Sequence, residues 1–93
     1  MQKVLKIAYG SCLCTFYNNG KANIMIIDRF EVESEHRGKG IGTLLLQKAI
    51  ELAKTQHVDS IELTVNNDNK PAKKLYKKMG FKKTDKDYYR ILL

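Results

Sequence analysis

Arg37-Gly38-Lys39-Gly40-Ile41-Gly42 sets three glycines and two cations directly ahead of a strongly helical stretch. A helix begins with unpaired N–H groups and a partial positive charge. Glycines before it let backbone amides turn inward and approach an anion closely. With the full charges of Arg37 and Lys39 added, the combination suits a pyrophosphate. It is not a P-loop, because no Gly-Lys-Ser/Thr follows. Glycines at 38, 40 and 42 do not make a G-x-G-x-x-G dinucleotide fingerprint either. A glycine-rich strand-to-helix turn with incidental charges is the alternative to a phosphate site.

The elements that must position this loop are legible around it. Residues 3–9 and 11–17 read as two strands rich in Val, Ile, Leu, Cys, Tyr and Phe. Asn18-Asn19-Gly20 is a hairpin turn, since Asn and Gly tolerate positive φ. From Ala22 to about Glu33 runs the best strand. Its half Ile24-Met25-Ile26-Ile27 is apolar on both faces, a pattern that predicts a central strand covered on both sides. Its other half turns acidic at Asp28, Glu31, Glu33 and Glu35.

A helix follows over about 41–56, with Leu45, Leu46, Ala49, Ile50 and Ala53 on one stripe. Residues 60–65 form a short strand. Strand, helix and strand in that order predict a right-handed crossover and a parallel pair. Asn69 caps a second helix, and Pro71 suits its first turn. Ala72, Leu75, Tyr76 and Met79 keep i, i+3, i+4, i+7 spacing, and Gly80 ends the helix. Residues 81–84 and 88–93 predict a closing hairpin.

Ninety-three residues predict one domain, 1–93. Hydrophobic residues at 43% and charged residues at 29% suit a globular chain rather than a disordered one. No apolar run approaches a membrane span, and no secretory leader opens the sequence. Cys12 and Cys14, two apart on a strand, share a face. Without a second pair or clustered histidines they make a poor zinc site, so no metal is expected. Two buried, reduced thiols fit a cytoplasmic location. The net charge is +7, and nine basic residues fall between Lys70 and Arg90. Nucleic acid, a nucleotide-like polyanion, or a solvated lysine face would each account for them.

Loop and second helix together narrow these choices. Arg37-Gly38-Lys39-Gly40-Ile41-Gly42 resembles the Gln/Arg-x-x-Gly-x-Gly/Ala loop of the GNAT superfamily of acyl-CoA-dependent N-acetyltransferases. Asn69, Ala72, Tyr76, Gly80 and Phe81 match its later Asn-x-x-Ala-x-x-x-Tyr-x-x-x-Gly-Phe signature. The resemblance covers about residues 22–93. It implies an α/β (α+β) fold: a mixed, mostly antiparallel twisted sheet with a central, splayed parallel pair and two main helices. It also implies acetyl-CoA as cosubstrate and an amine acceptor, whether small amine, polyamine or protein amine. Amides of Arg37, Gly38, Lys39, Gly40, Ile41 and Gly42 would hold the pyrophosphate. The pantetheine arm would pair with backbone at Phe30, Glu31 and Val32, with Asn69 and Ala72 across from it. A backbone N–H near Val32 would polarise the thioester carbonyl. The amine would attack directly, with no acyl-enzyme.

Tyr76 has two readings. Periodicity makes it a core tyrosine. The resemblance points its hydroxyl at the thioester sulfur. An ordinary phenol at ~10 lies above a thiol at ~8.5, so protonating a thiolate is uphill by ~2 kcal/mol. Hydrogen-bond donation to the sulfur is the expected role. Asp28 is the first candidate base, from short similarity of Ile27-Asp28-Arg29-Phe30-Glu31-Val32 to the polyamine and diamine acetyltransferase branch. Alternation puts Glu31 and Glu33 opposite Asp28 unless a bulge intervenes. A solvated strand end is the plain alternative for all three. His36 adjoins the loop, within reach of a ligand held there, but it and His57 read first as ordinary surface histidines.

Only 36 residues precede Arg37, where most family members carry another strand and two helices. The acceptor side is therefore expected to be open or walled by a second copy, which makes a homodimer a candidate. Two functions follow: a minimal N-acetyltransferase, or a noncatalytic CoA-binding sensor of the same fold. Nucleic-acid binding ranks below both, because no aromatic-interleaved basic motif accompanies the lysines.

Overall fold

The computed structural model describes residues 1–66, 68–84 and 88–93. Six strands form one sheet in the order β1-β2-β3-β4-β6-β5. Antiparallel β1 (Gln2–Ile7) and β2 (Gly10–Asn18) turn at Ala8-Tyr9, where Tyr9 takes φ 68°. β2 pairs antiparallel with β3 (Asn23–Val32) through the Asn-Asn-Gly turn. There the Asn18 carboxamide oxygen accepts from Gly20 N–H at 2.7 Å, and Asn19 accepts from Lys21 and Ala22. Gly20 has φ 91°.

β3 is the central strand, as the run Ile24–Ile27 predicts. A 3-10 turn, Ser34–His36, leads from it to α1 (Ile41–Thr55). α1 crosses back to β4 (Ser60–Leu63), which pairs parallel with β3. α2 (Lys70–Lys78) follows, with Pro71 in its first turn and Gly80 beyond its end at φ 98°. β5 (Lys82–Lys83) and β6 (Tyr89–Leu92) close the sheet as an antiparallel pair, shorter than the predicted hairpin strands. The connecting residues of that hairpin lie outside the described ones.

Both helices pack on the same face of the sheet. Met25 and Ile27 share that face with Ile61, Leu63 and Tyr89 through the register, and all five are buried. Leu45, Leu46, Ala49 and Ala53 of α1 complete the core as their stripe predicts. Cys12 and Cys14 lie side by side in it, with sulfurs 4.0 Å apart and no disulfide. The opposite face differs from expectation. Val4, Tyr17 and Leu92 point outward there, at 65%, 41% and 77% exposure, and Ile26 is only half-buried. The described helices lay no second layer on this face, yet Ile24, which the register places there opposite Tyr17 and Ser60, is buried, so the outer side of the β3 run is covered at Ile24 and only partly at Ile26.

Candidate active site

Two breaks in regular pairing open the site. Ser11 pairs with Glu31, yet Leu13 pairs with Asp28. Arg29 and Phe30 therefore stand opposite the single residue Cys12, a β-bulge with Arg29 at φ 51°. The bulge resets alternation, so Glu31 falls on the same face as Asp28. The second break is on the other edge of β3. Its pairing with β4 runs from Ile24↔Ser60 to Ile27↔Leu63 and stops, while β3 continues to Val32. The parallel strands part at Asp28, and the backbone of 28–32 loses its neighbour on that side.

Two cavities occupy this opening. The larger, about 410 Å³, is bounded by Phe30, Glu31 and Val32 of β3 and by Arg37, Gly38 and Gly40 of the loop. Ile41, Gly42 and Thr43 of α1 and Asn69, Pro71, Ala72 and Leu75 of α2 close it. The smaller, about 230 Å³, lies between the parted strands, against Phe30, Thr64, Val65, Asn66, Asn69 and Tyr76. Phe30 and Asn69 border both.

The loop owes its shape to its glycines. Gly38 and Gly40 sit at φ 80° and 79°, and Gly40 is the N-cap of α1 with no side-chain cap. The first bond into the helix runs from Leu44 N–H to the Gly40 carbonyl, 3.0 Å. Amides of 38–43 find no acceptor among the described residues. Gly42 is needed for a different reason. A β-carbon there would lie 3.1 Å from Leu75 and 3.8 Å from Phe30 and Val32. Its absence lets α1 and α2 approach around the cavity. The Arg37 side chain turns back, its Nε donating to the Val32 carbonyl at 3.3 Å. Lys39 is exposed and lines neither cavity.

Asn69 caps α2, its side-chain oxygen accepting from Ala72 N–H at 3.3 Å. Tyr76 is 3% exposed and packs edge-on to Phe30, with centroids 5.8 Å apart. Its ring also meets Phe81 and Tyr89. Tyr76 is thus a core ring that also borders the smaller cavity. Burial, with a smaller contribution from Cys12, pushes its hydroxyl up to about 12. Asp28 stands where the strands part and lines neither cavity; Glu31 lines the larger. Glu33 instead lines a third hollow beside Lys6, Tyr9 and Ser11.

Thr43, Pro71 and Leu75 of the larger cavity and Thr64, Val65 and Asn66 of the smaller were not read from the sequence as site residues, whereas His36 lines the larger cavity beside the loop it adjoins. Thr43 could have been found by carrying the amide cradle through the first helical turn. Pro71 and Leu75 were assigned to capping and packing alone. His36 is half-buried and stacks on Tyr9 at 3.6 Å, a long-range contact with no local signal.

A splayed parallel pair, a glycine-capped crossover helix and a second helix closing the gap define the fold to which this chain's motifs point. The chain belongs to the acetyltransferase (GNAT) family, whose pattern matches residues 8–81. It is 36% identical over 80 residues to an uncharacterised N-acetyltransferase of Methanocaldococcus jannaschii, covering 85% of this chain and 35% of that protein. The NatC complex bound to Gag peptide and CoA contains a chain that superposes with TM-score 0.83 at 26% identity. That match covers 91% of this chain and 61% of the other. Arabidopsis thaliana Naa50, in complex with the bisubstrate analogue CoA-Ac-MVNAL, superposes with TM-score 0.74 at 30% identity, over 88% and 62%. The chain thus spans about a third of the curated relative and about three-fifths of these structural neighbours.

Proposed function

We propose that this chain is an N-acetyltransferase that passes an acetyl group from acetyl-CoA to a primary amine by direct attack. The observation that carries it is the pair of adjoining cavities, one at the unpaired amides of α1 and the other at Tyr76. The residues fit the donor. Free amides from Gly38 to Thr43 suit the pyrophosphate. The edge of β3 at Phe30, Glu31 and Val32 offers unpaired backbone to the amide-bearing arm. Asn69 and Ala72 flank the arm from α2. Bound acetyl-CoA supplies the activated acetyl thioester.

Tyr76 stays protonated and donates to the departing sulfur. With the phenol at about 12 and a thiol at ~8.5, full proton transfer would be uphill by ~5 kcal/mol. A hydrogen bond to the sulfur needs no such transfer. Losing the acceptor's proton costs ~4.6 kcal/mol at pH 7 for an alkylammonium and only ~1–1.4 for an α-amine. We assign that proton to Asp28, at the fork of the strands, with Glu31 on the same face. Asp28→Asn should depress turnover with alkylamines more than with α-amines. Equal turnover in Asp28→Asn and the parent would remove Asp28, and Glu31→Gln then tests the alternative.

A second reading is a CoA-binding module of the same fold without efficient catalysis. Thiol release from acetyl-CoA across polyamines, peptides and small amines separates the two. Amine-dependent release supports the enzyme. Donor binding without release supports the module.

A further inference from the structure

We infer that the acceptor is an amino-amide, an amine whose neighbouring group is a neutral carboxamide, read by the Thr64 hydroxyl and the Asn66 side-chain amide at the mouth of the smaller cavity. This rests on the acetyltransferase reading above and names the acceptor class that it leaves open. The chemistry of the walls is the first observation. The larger cavity carries Glu31, His36 and Arg37. The smaller, which Tyr76 borders, is lined by Phe30, Thr64, Val65, Asn66, Asn69 and Tyr76, so no charged side chain stands among its described residues. Tyr76 is buried while Thr64 and Asn66 are exposed, which sets these two polar side chains at the outer end.

Free hydrogen-bonding capacity is the second. The Asn69 side-chain oxygen is committed to Ala72 N–H at 3.3 Å. Neither the Thr64 hydroxyl nor the Asn66 carboxamide bonds to another described residue. An amide presents a donor and an acceptor, as Asn66 does, so the two can pair reciprocally, and a hydroxyl can bond either atom. A second ammonium or a carboxylate in that place would lose water without a counter-charge from these walls. Asp28, at the fork, is already assigned the proton of the reacting amine. The chain's net charge of +7 also repels polycations before they arrive.

Steady-state thiol release with glycinamide, a neutral peptide amide, propylamine, glycine and putrescine tests the assignment, each acceptor referred to its free-amine concentration. Glycinamide or the peptide amide should exceed propylamine in kcat/KM by roughly tenfold, the scale of one or two net hydrogen bonds. Preference for glycinamide identifies a small amino-amide, and preference for the peptide identifies a peptide amino terminus. Glycine and putrescine should fall below propylamine. The double variant T64V/N66L should bring the amide-to-propylamine ratio to about two or less, with the KM for acetyl-CoA retained. T15V makes the same change on β2, outside both cavities, and should leave the ratio intact. A parent ratio near one, a ratio insensitive to T64V/N66L, or putrescine preferred over both amides overturns the acceptor class while leaving the acetyltransferase standing. No amine-dependent release with any of these acceptors overturns the acetyltransferase reading and this inference with it.

Discussion

Gly40 and Gly20 offer a matched pair of substitutions. Both hold positive φ, 79° and 91°, and a β-carbon at either would meet nothing within 4 Å. Alanine at either site is therefore penalised by backbone conformation alone. The left-handed region costs an L-residue ~1–2 kcal/mol. Alanine also restricts the unfolded chain, which offsets ~0.4–1 kcal/mol. The net loss is about 0.5–1 kcal/mol, or roughly 2–8 °C in Tm for a domain of this size. Thermal melts of Gly40→Ala and Gly20→Ala should fall by similar amounts. Donor affinity should not. Gly20 sits in the β2–β3 hairpin, whereas Gly40 aims the amides at the start of α1. Relaxing φ there turns those amides away, and charge-assisted hydrogen bonds at ~1.5–3 kcal/mol imply about a 10- to 100-fold loss of acetyl-CoA affinity. Gly40→Asn should recover part of it, since Asn tolerates this region. Unchanged donor affinity in Gly40→Ala, or an equal loss in Gly20→Ala, would refute the reasoning.

Tyr76→Phe should lower kcat about tenfold or more with acetyl-CoA affinity nearly unchanged, read by steady-state kinetics beside a binding titration. Because burial pushes this hydroxyl to about 12, the parent's pH–rate profile should rise as the acceptor amine deprotonates. It should show no descending limb from Tyr76 below about pH 10. Asn69→Ala removes the α2 cap and should cost ~1 kcal/mol in a denaturant melt, with weaker donor binding alongside. Arg29→Gly relieves a non-glycine residue at φ 51° and should raise stability by ~0.5–1 kcal/mol, visible as a higher denaturation midpoint.

What was legible in the sequence was local. Asn18-Asn19-Gly20, the stripe from Leu45 to Ala53, Pro71 in a first turn and Gly80 past a helix end each act through a few neighbouring residues, and each element forms where those signals put it. The glycine loop and Tyr76 were readable because their spacings sit on such elements. The bulge at Arg29–Phe30 was not, because register depends on how β2 pairs with β3, across the hairpin. That one inserted residue moves Glu31 onto the face of Asp28. The stack of His36 on Tyr9 joins segments 27 residues apart and left no trace in either. The lack of a described helical layer on the outer face was also hidden, since Ile24–Ile27 is apolar on both faces whether or not such a layer is present.

In the proposed enzyme the free amides at the start of α1 hold the donor's pyrophosphate. Titration of the ¹⁵N-labelled chain with acetyl-CoA, followed by amide NMR shifts, tests it directly. The largest shifts should fall at Gly38, Gly40, Ile41, Gly42 and Thr43, with a second group at Phe30–Val32 and Asn69–Ala72. Saturable binding that leaves 38–43 unmoved would contradict it.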